Sequence, residues 1–140
     1  ETLAKMVGGG DRGQKVQQFR NALELYRDDL SHALMGSIDP DSFIEIATSA
    51  LIDPDSKILD CHPPTVFTAL RKAAQLKLRP DGEEGAIIPR WSGKRQRLEA
   101  TYMPMYKGLV RTLLRTGMYR KVESRTQRTG DKWDYRKVQY

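Results

Sequence analysis

The stretch "GAIIPRWSGKRQRLEATYM", residues 85–103, decides the fold. Upstream of it the apolar residues recur at helical spacing. Here β-branched and aromatic residues flank a short glycine-containing turn instead. "GAIIPRW" reads as a strand, "SGK" as a turn and "RQRLEATYM" as the returning strand. Pro89 has no amide proton for a ladder, so the first strand is expected at an edge or to carry a bulge.

Working outward, residues 104–116 read as a helix with Gly117 at its end. "YRKVESRTQ", an "RTGD" turn and "KWDYRKVQY" then read as a second hairpin. Upstream, Val16, Phe19, Leu23, Tyr26, Leu30 and Leu34 recur at three- and four-residue steps, which predicts one helix over 14–35 closed by Gly36. A second helix is expected from about Asp41 to Leu51, capped by Asp41 or Ser42. A third is expected from about Pro64 to Leu76, with proline in its first turn and Pro80 forbidding continuation. Residues 1–13, with "GGGDRG", read as a flexible lead-in, and 14–140 as a single core. The expected class is α+β: N-terminal helices, a β-hairpin, a basic helix and a second β-hairpin forming a small antiparallel sheet.

The 140 residues, 39% hydrophobic and 30% charged, suit one globular domain rather than a disordered chain. No apolar run approaches the ~20 residues of a membrane span, and no secretory leader is recognised. Cys61 is the single cysteine, so no internal disulfide can form, and a reducing compartment is expected. The net charge of +6 hides a split. Residues 1–84 carry 10 Lys/Arg against 14 Asp/Glu, a net of −4; residues 85–140 carry 14 against 4, a net of +10. That surplus points to a polyanionic partner, the plainer reading being a solvated basic surface.

Three groups of residues carry that charge. On a helical wheel Lys107, Arg111 and Arg115 share one face, with Leu109, Val110 and Leu113 opposite and Tyr106 beside them. The apolar side is expected to pack on the sheet, leaving three self-repelling cations with no carboxylate partner within the row, a repulsion that strand phosphates would relieve. The plainer reading is again a solvated helix face. The first hairpin places Arg90, Lys94, Arg95 and Arg97 around Trp91. The second brings Arg120, Lys121, Arg125, Arg128 and Lys132 near Trp133 and Tyr135. Aromatics among Arg and Lys can stack on bases while the cations neutralise phosphates, although Trp and Tyr are also ordinary strand residues.

Enzyme readings are weaker. "GGGDRGQK" lacks the Lys-Ser/Thr of a phosphate loop and has no preceding strand. Cys61 and His62, with His32 the only other histidine, do not supply a zinc set. As adjacent residues of an extended chain they point apart, against a Cys–His nucleophile pair. Asp39, Asp41, Asp53 and Asp55 lie in two "DPD" turns. They are read as turn formers and caps before they are read as the metal ligands of a nuclease.

"FTALRKAAQLKLRPDGEEGAIIPR", then "YMPMYKGLVRTLLRTGMYRKVESR" and "GDKWDY", resemble the RecT family of phage and prophage single-strand annealing proteins over about residues 40–140. Tyr106, Lys107 and Gly108 match the family's "YKGL" motif, and Arg115 its late arginine. Lys77 stands where the family usually has Gly, and Thr116 where Ser is common. Family members also continue well beyond residue 140. The resemblance implies an ATP-independent protein with no cofactor and no covalent catalytic step. It would bind single-stranded DNA without sequence preference and pair it with its complement through an annealed duplex intermediate. It implies a homo-oligomeric ring or helical filament in the cytoplasm of a bacterial host. A 5′–3′ exonuclease and the host single-strand-binding protein are the implied partners. The expected DNA-binding residues are Arg90, Trp91, Lys94, Arg95, Arg97, Tyr106, Lys107, Arg111, Arg115, Lys121, Arg125 and Arg128. The alternatives are a single-stranded nucleic-acid-binding module without annealing activity, a metal-dependent nuclease using the "DPD" carboxylates, and a purely structural oligomer subunit.

Overall fold

A computed structural model of the chain describes residues 11–123 and 125–132. Among these residues are five α-helices and one two-stranded antiparallel sheet, the expected α+β class. Helix α1 spans Arg12–Leu25 and α2 spans Arg27–Leu34. The single helix expected over 14–35 is therefore two. At Tyr26 (φ −96°, ψ 10°) the backbone bends, and its N–H is shared between Ala22 O at 3.3 Å and Leu23 O at 3.1 Å. α1 packs chiefly on the third helix and α2 on the fourth, so the bend lets Leu23 and Leu30 both be buried. No glycine or proline marks it.

Helix α3 spans Pro40–Ile52, capped by Asp39, whose Oδ2 accepts from the Ser42 N–H at 3.0 Å. The cap is Asp39 rather than Asp41 or Ser42, because Pro40 already occupies the first helical turn. A 3-10 turn, Ile58–Asp60, leads into α4, Pro63–Gln75. Strands β1, Gly85–Ser92, and β2, Arg97–Pro104, pair antiparallel with Ile87 opposite Tyr102 and Pro89 opposite Ala100. The register runs through Pro89 without a bulge. The Ala100 N–H points away from β1 to Thr65 Oγ1 at 3.0 Å, and the His62 N–H bonds Leu98 O at 2.9 Å. Pro89 thus faces a pair that exchanges no ladder bonds, and the outer edge of β2 is covered by the start of α4. Helix α5 spans Tyr106–Arg115.

The core lies between α1–α4 and the inner face of the hairpin. Phe19, Leu23, Leu34, Phe43, Leu51, Val66, Leu70, Leu78 and Tyr102 are fully or almost fully buried. Phe19 stacks on Phe67 at 5.4 Å. The "RTGD" turn is formed: the Asp131 N–H donates to Arg128 O at 3.0 Å and the Arg128 N–H to Asp131 Oδ2 at 2.8 Å. Residues 119–123 and 125–128 leading into it form no strand. The returning limb of that expected hairpin, with Trp133 and Tyr135, lies outside the described residues, as do residues 1–10.

Candidate nucleic-acid interface

Helix α5 is positioned by one loop, residues 76–84, between α4 and β1. α4 ends in paired backbone bonds: the Lys77 N–H reaches Ala74 O at 3.0 Å and the Leu78 N–H reaches Ala73 O at 3.1 Å. This termination needs a left-handed residue, and Lys77 takes that place with φ 57°. The loop then folds on itself: Asp81 Oδ1 accepts from the N–H groups of Glu83 and Glu84, both at 2.9 Å. Glu84 is buried, and its Oε2 accepts from the Arg79 N–H at 2.8 Å. Tyr102, under Gly85, donates its hydroxyl to Arg79 O at 3.3 Å. Burial, then Glu84 and Asp81, raise the Tyr102 pKa, so it stays neutral.

Helix α5 docks on this loop by its charged face, which reverses the packing the wheel suggested. The Met105 N–H bonds Glu84 O at 2.9 Å, and Gly108 is buried against the same carbonyl. A Cβ at Gly108 would stand 2.0 Å from Glu84 O. Because Gly108 faces inward, Lys107, Arg111 and Arg115 go with it. Lys107 Nζ pairs with Glu83 Oε2 at 2.9 Å, Arg111 with Glu84 Oε1, and Arg115 Nη1 donates to Lys77 O at 2.7 Å. The row is therefore not an uncompensated stripe: loop carboxylates hold two of the three cations. Burial, then Arg111, lower the Arg115 pKa; Glu84 opposes this and Arg79 adds to it. Leu109, Leu113 and Leu114 lie toward solvent instead, Leu109 at 55% exposure, and Tyr106 is 56% exposed.

The hairpin presents a second group. Trp91 is 62% exposed near the tip, with Arg90, Lys94 and Arg95 also exposed. Glu99 binds two of these cations, Arg95 Nη1 at 2.9 Å and Arg97 Nε at 3.1 Å. The Arg95 hydrogen bond, with Arg97 beside it, holds the Glu99 carboxyl below its usual range. Arg90 and Lys94 have no ion-pair partner among the described residues. Beyond α5, Glu123 pairs with Lys121 and, at 3.5 Å, with Arg125. Arg128 is exposed near the following turn.

The remaining sequence candidates have structural uses. Asp39 caps α3, Asp41 binds Arg27 Nε at 2.9 Å, and Asp53 Oδ1 accepts from the Asp55 N–H at 3.0 Å. Cys61 is buried and its thiol is pushed up to about 11 by burial and then Asp60, which makes it a poor nucleophile at neutral pH. Sequence reasoning passed over Glu83, Glu84 and Arg79. Their signal was the "RPDGEE" turn, whose carboxylates precede a basic helix.

The core is α+β, and the described cations of the basic half and the exposed Trp91 lie on the hairpin, α5 and the segment after it. The RecT family model matches residues 41–139, and the chain belongs to that family, whose setting is DNA recombination by phage-type single-strand annealing. No curated protein and no solved structure matches the chain. No helix among the described residues is long and apolar enough to cross a membrane.

Proposed function

We propose that this chain binds single-stranded DNA without sequence preference and promotes annealing of complementary strands without ATP, acting as a homo-oligomer on the strand. The family match over residues 41–139 carries the reading. The physical chemistry supports it. Annealing makes and breaks no covalent bond, so it calls for counter-charge rather than a catalytic group. Cations that hold a strand by its phosphates leave the base edges free to test pairing. The exposed Trp91 between Arg90 and Lys94 suits a stacked base with neighbouring phosphates. An exonuclease that exposes single strands and a host single-strand-binding protein are the partners such a role would use.

The hairpin tip also favours a second reading. An exposed Trp among cations is what any single-strand-binding module needs, and it carries no pairing information. The two readings separate in an annealing assay with complementary labelled oligonucleotides of about 50 nucleotides, without nucleotide cofactor. Accelerated pairing that fades with added salt is expected. Tight single-strand binding with no acceleration would leave the binding module. Strand degradation that requires magnesium and stops with EDTA would instead give the nuclease.

A further inference from the structure

The α4–β1 loop and α5 enclose a cluster with an unmet need for negative charge. The buried Glu84 carboxylate takes the Arg111 guanidinium and the Arg79 backbone N–H, and Arg115 feels the charges of Arg111, Glu84 and Arg79. Both Glu84 oxygens are committed, Oε1 to Arg111 and Oε2 to the Arg79 backbone N–H at 2.8 Å. Of the neighbouring acids, Asp81 accepts two loop amides through Oδ1 and Glu83 pairs with Lys107 through Oε2. Arg115 is left with a neutral backbone carbonyl. The Arg79 side chain has no hydrogen bond or ion pair among the described residues, and its Nε is buried without a partner. Buried donors are almost always paired in folded proteins, and desolvating an unpaired one is costly. Of the three guanidinium groups, Arg79 and Arg111 half-buried and Arg115 exposed, only Arg111 has a carboxylate partner among the described residues.

The chemistry of that anion follows from the donors. Guanidinium groups present planar forks that match phosphate oxygens in pairs, as a lysine cannot. Glu84 fixes one of the three by binding Arg111, and the loop fixes the backbone of Arg79. The cluster lies on the inward side of α5, continuous with the Lys107 ion pair. We propose that Arg79, Arg111 and Arg115 form a phosphate subsite that takes one phosphodiester of the bound strand, with Arg79 as a strand-contacting residue. This rests on the strand-binding reading above.

The test compares wild-type protein with Arg79→Gln and Arg79→Lys, with Lys94→Ala as a reference away from the cluster. A labelled 30-nucleotide thymidine strand is titrated by anisotropy across salt concentrations. Arg79→Gln is expected to weaken binding about tenfold and to flatten the salt slope by about 0.7. Arg79→Lys should keep the slope, since the charge stays, and recover part of the affinity. Inorganic phosphate should raise the melting temperature of the wild type but not of Arg79→Gln. If Lys94→Ala weakens binding while Arg79→Gln keeps wild-type affinity and slope, the subsite is overturned and strand binding stands. If phosphate binds through Arg79 but the strand ignores it, the site takes a free anion and the proposal also falls. If the wild type binds no strand, both readings fail together. Should Arg79→Gln fold poorly, arginine modification of the unmutated chain by phenylglyoxal decides: the strand must protect Arg79, and an unprotected Arg79 overturns the subsite.

Discussion

At the scale of single residues, two backbone positions govern the basic surface. Lys77 holds φ 57° at the end of α4, a conformation that costs a side chain about 1 kcal/mol relative to glycine. The family resemblance singled out this position as one where glycine is usual, and the left-handed backbone supplies the reason. Lys77→Gly is therefore expected to stabilise the fold by about 1 kcal/mol, read as a rise in melting temperature of roughly 2–6 °C. An unchanged or lower value would mean that the lysine stem contributes packing that outweighs the strain. Gly108 is the converse case. Its place in "YKGL" was legible as a motif match, but the motif did not say why glycine was needed. A Cβ there would meet Glu84 O at 2.0 Å, and a backbone carbonyl cannot swing aside as a side-chain tip can. Gly108→Ala should lift α5 from the loop at a cost of about 2–4 kcal/mol. Limited trypsin digestion should then cleave at Lys107 or Arg111 faster than in the wild type, whereas cleavage there at wild-type rates would show that α5 docks without this contact.

At the scale of elements, the hairpin and α5 differ in how much the sequence disclosed. The hairpin follows from local chemistry: a short turn with Gly93, flanking residues that alternate, and a proline that can sit only where no ladder bond is lost. All of that is written within about 20 residues. The helical face of Lys107, Arg111 and Arg115 was equally legible, but its direction was not. A wheel says which residues share a face, and hydrophobicity then suggests that Leu109 and Leu113 turn inward. Here backbone proximity at Gly108 and two loop carboxylates decide otherwise, and both lie outside the helix. The bend at Tyr26 was hidden for a related reason, since it answers to two different packing partners rather than to a breaker residue. The reversed helix makes a prediction of its own. A strand that binds Lys107 must compete with Glu83, so Glu83→Gln should tighten strand binding by about threefold, consistent with an exposed pair worth less than 1 kcal/mol. Glu45→Gln, an equal change of charge at the α1–α3 contact, serves as the control and should do much less. In a Lys107→Ala background the gain from Glu83→Gln should largely vanish. A gain that persists there would mean that Glu83 acts only by general repulsion of the strand.

At the scale of the whole molecule, counting Lys and Arg overstates the field that a strand meets. The +10 of residues 85–140 was legible in composition, but its pairing was not, because Glu83 and Glu84 belong by sequence to the acidic half and in space to the basic one. The ten cationic candidates, from Arg90 to Arg128, are accompanied by four carboxylates: Glu83, Glu84, Glu99 and Glu123. The local surplus is thus about six charges per chain rather than ten. Counterion release follows the net charge that phosphates neutralise, with a slope near −0.7 per charge for single strands. The dependence of log K on log salt should therefore have a slope near about −4 per bound chain, where the full set of cations would give about −7. Anisotropy titrations with a labelled thymidine strand between about 50 and 300 mM salt would measure it under the same counterion-release relation. Removing both exposed carboxylates, Glu83→Gln with Glu123→Gln, should steepen the slope by about 1.4. A wild-type slope already near −7 would mean that the strand drives the carboxylates away from the surface, and then the ion pairs seen on α5 and the hairpin belong only to the free protein. A slope close to zero would remove the basic half as the strand-binding surface altogether.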